Sequence, residues 1–144
     1  MIRLDLGDPP TRVRNALERS LGAAVVEWNN HGIEKAKKTT DRGYAVVKED
    51  LFARQLKKCA YCERRPGFDG QAVEHFRPRK HAERALPGEA SDKDQERYWW
   101  LAWHWENLFF ACTTCNGRAR KGNRFPLADT GRLPIPPRDQ RDPR

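Results

Sequence analysis

Apolar residues recur at helical spacing from Thr11 to about Trp28, where Val13, Leu17, Leu21, Ala24, Val25 and Trp28 share one face. Residues 1–10 read as an extended lead-in closed by Pro9-Pro10, and Thr11 is placed to cap the helix. The pattern breaks between Asn29 and Gly32. The next stretch, Gly32 to Gly43, carries Lys35, Lys37 and Lys38, which read first as a solvated helix face and second as phosphate contacts. Tyr44 to Lys57 is again amphipathic, with Val47, Leu51 and Leu56 expected inward. Gln71 to Phe76 is short and β-compatible, and Pro78 prevents its continuation as a central strand. Arg77 to Arg97 is polar and reads as a loop insertion, in which His81 is expected to be a surface side chain.

Tyr98 to Trp105, reading YWWLAWHW, is too aromatic for a surface and is expected to be core, with base stacking as the alternative. Leu108 to Ala111 is an apolar strand. Thr113 or Thr114 is then placed to cap a helix whose first turn holds Cys115 and Asn116, followed by Arg118, Arg120 and Lys121. Leu127 to Arg144, rich in Pro, Arg and Asp, reads as a loosely ordered tail.

Composition narrows this pattern to one domain with a modest core. Charged residues make up 33% of the chain against 38% hydrophobic, a ratio at which a structural metal would compensate for limited apolar burial. A formal net charge of +8 favours a polyanionic partner. All four cysteines fall in two Cys-x-x-Cys pairs, Cys59/Cys62 and Cys112/Cys115, the donor set of a closed tetrahedral zinc site. The gap between the pairs is longer than in a zinc ribbon, so the intervening stretch should be a structured insertion. No window approaches a membrane span or a signal peptide, and the expected location is the cytoplasm, where thiols stay reduced.

A four-thiolate zinc has no open position, so chemistry must sit elsewhere. The two pairs bring Glu74 and His75 toward Asn107 and Asn116. Phosphodiester hydrolysis needs a deprotonated water and a cation to offset charge on the phosphate. His75 is the natural general base, while Glu74 and the amide oxygen of Asn116 are hard ligands suited to Mg²⁺ or Mn²⁺. In a regular pleat Glu74 and His75 point to opposite faces, so a shared site requires a twist or bulge. Arg77, Arg79, Arg118, Arg120 and Lys121 read as phosphate contacts.

With these blocks in order, C-A-Y-C at 59 to 62, V-E-H-F-R-P at 73 to 78, W-E-N-L at 105 to 108, C-x-x-C-N at 112 to 116 and K-x-N-x-F-P at 121 to 126, the chain resembles the HNH endonucleases. The likeness is nearest to the HNH subunits of Septu-type and retron-associated anti-phage systems, and it covers Cys59 to Pro126. It implies an α+β fold: a ββα-metal core at 59–126, with an insertion at about 80–97 and a four-cysteine zinc staple. Helices at 1–58 would precede this core and the tail at 127–144 would follow it. It implies that His75 is the general base and that Asn107 braces the loop between the strands and orients that base. Asn116 would stand in place of a final histidine and bind the catalytic metal with Glu74, itself in place of an aspartate; His104 is a reserve candidate. It further implies a DNA or RNA substrate and an ABC- or SMC-like ATPase partner docked on the N-terminal helices.

The leading expectation is therefore a metal-dependent endonuclease of an anti-phage complex. The alternatives are a zinc-stabilised nucleic-acid-binding subunit without catalysis and a purely protein-interacting subunit.

Overall fold

The fold is a computed structural model that describes residues 4–80, 82–83, 93–94 and 98–125. His81, most of the expected insertion and the expected tail lie outside the described residues. The chain is mixed, with helices packed around a small two-stranded sheet and a cluster of four cysteines.

The first helix, α1, spans Thr11–His31 and buries Val13, Leu17, Ala24 and Val25. Pro10 occupies its N-cap and no side chain caps it, so Thr11 is the first helical residue and not the cap expected of it. Gly32 ends α1 at a φ of +79°, a left-handed conformation that disfavours any residue with a Cβ. Helix α2 follows at Ile33–Thr39. Within the lysine run, Lys35 and Lys38 are exposed but Lys37 is buried and pairs with Glu34 at 3.1 Å. A 3-10 turn at Tyr44–Val47 leads into α3, Lys48–Arg54.

Val47, Leu51 and Gln55, spaced by four, are all buried. Leu56, expected inward, is 66% exposed. The reason is local: α3 ends at Arg54, and Leu56 and Lys57 take left-handed φ values of 54° and 63° that turn Leu56 out of the stripe. Gln55 takes the inward place.

Strand β1, Ala72–His75, ends before Pro78 as expected. Two short strands, β2 at Ala82–Glu83 and β3 at Lys93–Asp94, pair antiparallel with each other. The aromatic run then forms two 3-10 turns, Trp99–Trp103 and Trp105–Asn107, and leads into β4, Leu108–Ala111. Tyr98, Trp99, Trp100, Trp103 and Trp105 are all buried, so the run is core. Trp99 packs edge-on against Trp28 of α1 at 5.5 Å between centroids, and one apolar cluster joins α1, α3, the aromatic run and β4. The indole N–H groups of Trp103 and Trp105 donate to the carbonyls of Arg42 and Gly7, each at 2.8 Å. A last short helix, α4, covers Thr113–Asn116. Its N-cap is Cys112, whose sulfur accepts from the Cys115 amide, so neither threonine caps it.

β1 and β4 pair antiparallel, with Ala72 opposite Ala111, Val73 opposite Phe110, Glu74 opposite Phe109 and His75 opposite Leu108. Opposed residues share a face, so Val73, His75, Leu108 and Phe110 point to the core side. The outer edge of β4 is closed by a side chain: the Gln55 amide donates to the Phe110 carbonyl at 2.8 Å and accepts from the Phe110 N–H at 2.7 Å. Gln55 thereby reproduces one rung of a third strand, and it also donates to the Lys58 carbonyl at 3.0 Å. No helix among the described residues is long and apolar enough to cross a membrane.

Replacing Gln55 by leucine keeps the volume but leaves the buried Phe110 N–H without its partner, which should cost about 1–3 kcal/mol. The comparison is Leu56→Ser, which should stay within about 0.5 kcal/mol of the native chain because Leu56 is outside the core. Urea unfolding measures both, and an unchanged midpoint for Gln55→Leu would remove the rung from the account.

Candidate functional site

Two features flank α4. The first is the cysteine cluster: the sulfurs of Cys59, Cys62, Cys112 and Cys115 all lie within 4.8 Å of one another. A tetrahedral site with metal–sulfur bonds of about 2.3 Å has sulfur–sulfur edges of roughly 3.8 Å. The Cys62 and Cys112 sulfurs are 3.9 Å apart, an edge of the length that zinc requires. Backbone amides already address the sulfurs, with Tyr61 N and Cys112 N donating to Cys59 Sγ at 3.4 and 3.3 Å. Burial pushes the Cys59 thiol up, but amides of Cys62, Cys112 and Tyr61 outweigh it and hold that thiol below its ordinary value. Burial, together with the neighbouring sulfurs, pushes Cys112 and Cys115 up instead. Four thiolates this close repel one another, and a divalent cation at their centre removes the conflict. The cluster can hold a metal such as zinc.

The second feature is a cleft of about 540 Å³ lined by all four residues of β1 together with Tyr44, Pro78, Arg79, Lys80, Asn116, Arg118, Gly122 and Asn123. It runs along the edge of β1 that β4 does not occupy. Because Phe110 spends both backbone groups on Gln55, the pairs Val73–Phe110 and His75–Leu108 are the non-hydrogen-bonded ones. Val73 and His75 therefore turn their own N–H and C=O groups toward the open edge. This is how Glu74 and His75, whose side chains leave opposite faces, line one cleft without a bulge: the cleft wraps the strand edge.

His75 is buried and packs edge-on against Tyr44 at 4.6 Å. Its Nε2 lies 3.1 Å from the Ala102 carbonyl. A carbonyl only accepts, so Nε2 carries the proton and Nδ1 keeps the lone pair. Burial, with the charges of Arg79 and Lys121, lowers its pKa to about 3, and the ring is neutral at physiological pH.

Glu74 Oε1 accepts from Lys121 Nζ at 2.7 Å and from the Tyr61 hydroxyl at 3.3 Å. Burial pushes the Glu74 carboxyl up, and Lys121 and Tyr61 oppose that rise. Lys121 also donates to the His75 carbonyl at 3.0 Å and to the Gly122 carbonyl at 3.2 Å. Its ammonium is thus spent inside the fold, and a side chain only 12% exposed departs from the surface phosphate contact expected of it.

Asn107 is buried and does not line the cleft. Its Oδ1 accepts from Arg77 N at 2.8 Å, and its Nδ2 donates to the carbonyls of Arg77 and Leu101 at 3.1 and 3.0 Å. Those bonds tie the segment after β1 to the aromatic run that supplies the Ala102 carbonyl. Asn116 lines the cleft from the end of α4. Arg79 and Arg118 line it too, whereas Arg77 stacks over the rings of Tyr98 and Phe125, and Arg120 lies on the cysteine side of α4. His104 lies outside the cleft lining.

Sequence reading missed Tyr44, Tyr61 and the inward turn of Lys121. Tyr61 sits between the two cysteines of the first pair, where a hydroxyl is the one polar side chain able to leave the turn. Arg79 is held from the N-terminal region, by Asp41 at 2.6 Å and Thr40 at 3.2 Å, and stacks over Tyr44 at 5.3 Å. No sequence periodicity signals that contact.

Chain purified under reducing conditions should carry about one zinc per molecule by atomic emission. Cys115→Ser should lose the metal and lower the thermal midpoint by several degrees. Native chain that is folded, stable and free of metal would overturn the assignment.

No family model matches the chain, and no solved structure matches it. Among curated proteins it is similar to the Septu protein PtuB of Bacillus mycoides (strain KBAB4), 35% identical over 107 residues that cover 66% of this chain and 35% of that protein. The chain spans about a third of the length of that relative. The likeness supports a PtuB-like protein over the matched stretch.

Proposed function

We propose that the chain is a metal-dependent HNH endonuclease hydrolysing DNA or RNA, acting in a Septu-type anti-phage system, with β1, β4 and α4 as its ββα-metal core. The observation behind this reading is that Glu74, His75 and Asn116 line one cleft with the cations Arg79 and Arg118. A neutral imidazole with a lone pair on Nδ1 is the form that takes a proton from water as the water oxygen attacks phosphorus and the bridging P–O bond breaks. Asn107 acts on the base through the backbone it braces and is a positioning residue. A phosphate drawn against Arg79 offsets a charge that depresses His75, and so raises the proton affinity of the base when substrate is present.

Glu74 and Asn116 would hold Mg²⁺ or Mn²⁺, which offsets charge on the phosphate and on the leaving oxygen when bound. The fit is supported by the cation that Glu74 already carries: an ammonium 2.7 Å from its oxygen marks a carboxylate placed to receive positive charge. That same contact favours a second reading, a zinc-stabilised nucleic-acid-binding subunit without catalysis, since Lys121 occupies the carboxylate.

Cleavage of plasmid DNA and of tRNA with Mg²⁺ or Mn²⁺ separates the two. His75→Ala should reduce the rate by roughly 10²- to 10⁴-fold, and Glu74→Gln should abolish the metal dependence. Equal cleavage by native chain and His75→Ala would sink the assignment of the base. Binding without cleavage under either metal, with or without a partner, would favour the second reading.

The proposed partner is an ABC- or SMC-like ATPase, docked on the N-terminal region. Support comes from exposure: the large hydrophobics exposed among the described residues, Val26, Val46 and Leu56, all precede Cys59. Removing α1 would destroy the core, so surface changes are the proper probe. Val26→Glu with Val46→Glu should leave the thermal midpoint within a few degrees and abolish co-purification with the ATPase; intact co-purification would place the partner elsewhere.

A further inference from the structure

A second cavity, of about 500 Å³, opens on the cysteine side of α4. It is lined by Arg64, Arg65 and Arg120, by the hydroxyl residues Thr113 and Thr114, and by Gln71, beside the sulfurs of Cys62, Cys112 and Cys115. All three arginines are exposed, and no carboxylate lines the cavity. Glu63, the acid nearest in sequence, is exposed and outside the lining. Among the described residues none of the three arginines forms an ion pair with an acid.

Three guanidinium groups and two hydroxyls are donors with no carboxylate of the described protein to receive them, whereas the Gln71 amide already donates to the Asp69 carbonyl at 3.2 Å and accepts from Thr113 N at 3.0 Å. Guanidinium is the side chain best matched to phosphate, because its planar fork presents paired N–H groups. Helix α4 contributes to both cavities: Thr113, Thr114 and Cys115 line this one and Asn116 the β1 cleft. Each side is cationic, with Arg79, Lys80 and Arg118 in the first cleft and the three arginines in the second. A polymer whose phosphate lies at Glu74, His75 and Asn116 carries further phosphates a few ångströms along its backbone, and the far side of one helical turn is within their reach.

We infer that the cavity of Arg64, Arg65 and Arg120 is a second phosphate site, which takes the sugar-phosphate backbone of the nucleic acid flanking the scissile bond. It rests on the nuclease reading for its ligand. Its contacts are charge to phosphate, so it contributes affinity and register but no sequence preference. The same arginines have one other electrostatic task open to them. Zinc held by four thiolates carries a formal charge of about −2, which nearby cations would offset. The two roles predict different losses.

The experiment uses the full zinc-loaded chain and a labelled oligonucleotide of random sequence, as single strand and as duplex, without divalent metal so that nothing is cut. Affinity is measured across a salt series for native chain, for Arg64→Gln with Arg65→Gln, and for Arg14→Gln with Arg19→Gln, which removes the same charge from α1. The cavity variant should lower the slope of log affinity against log salt by roughly 1.4 to 1.8, while the α1 variant changes it much less. An unchanged slope, or equal drops in the two variants, overturns the site. Loss of zinc from the cavity variant overturns it as well, in favour of counter-charges for the cluster. Because the slope is read on binding alone, absence of cleavage defeats the hydrolase and leaves this result standing, whereas a native chain with no salt-dependent binding defeats the site.

Discussion

A two-stranded sheet is marginal in water, and everything proposed for this chain depends on how one such sheet is held. β1 and β4 are four residues each and expose an edge on either side. Gln55 closes the β4 edge with a side-chain amide, assisted by Ala60 N, which donates to the Phe110 carbonyl at 3.0 Å. The cysteine cluster ties the Ala72–Ala111 end of the ladder to the turn at Cys59. At the other end Asn107 binds the Arg77 backbone, and Phe76 N donates to the Asn107 carbonyl at 3.0 Å. Three of the four sides are thus fixed. The fourth, the edge of β1 away from β4, takes Lys121 Nζ on its His75 carbonyl and forms the wall of the cleft.

This arrangement explains why the cleft can hold groups that would be costly elsewhere. His75 and Glu74 are both buried, yet each has named hydrogen-bond partners. The imidazole donates a hydrogen bond to a carbonyl supplied by the aromatic run, so the segment that forms the core also orients the His75 ring. The carboxylate is satisfied by Lys121 and Tyr61, which prevents it from being an unpaired buried charge. A buried carboxylate with an ammonium on it is a stable arrangement that a competing cation must displace. The inward Lys121 therefore belongs to the energetics of the cleft.

Much of this was legible in the sequence because it follows from local rules. The α1 stripe, the β1 and β4 segments, the buried aromatics and the two cysteine pairs are patterns of period or spacing, and each appears where those patterns place it. What was not legible depends on contacts between distant segments. Leu56 looked inward because it is apolar, although the spacing of Val47 and Leu51 points to Gln55. The conflict is resolved by an unpaired strand edge 55 residues away, for which an amide is worth more than a hydrocarbon. Thr113 and Thr114 are good caps by type, but the turn geometry of a cysteine pair gives the cap to Cys112. Lys121 looked like a surface cation because nothing in a basic run says which member folds back. Glu74 and His75 were expected to need a twist or a bulge to meet; a cleft that wraps the strand edge serves equally, and that edge is a property of the sheet and not of the strand.

The division between the cysteine cage and the β1 cleft is less complete than their linings imply. Tyr61 lies between Cys59 and Cys62, so its backbone position is set by the cage, while its hydroxyl rests on Glu74. On the other flank Cys115 and Asn116 are consecutive, one aimed at the cage and the other lining the cleft. Two covalently short paths therefore run from the sulfurs to the cleft, one to its carboxylate and one to its amide. If the cage opened, the Tyr61 hydroxyl and Asn116 would lose their fixed spacing together, since both are carried on the turns that the cysteines hold. A closed thiolate site has no coordination position for a substrate, but it can still decide whether the cleft beside it exists.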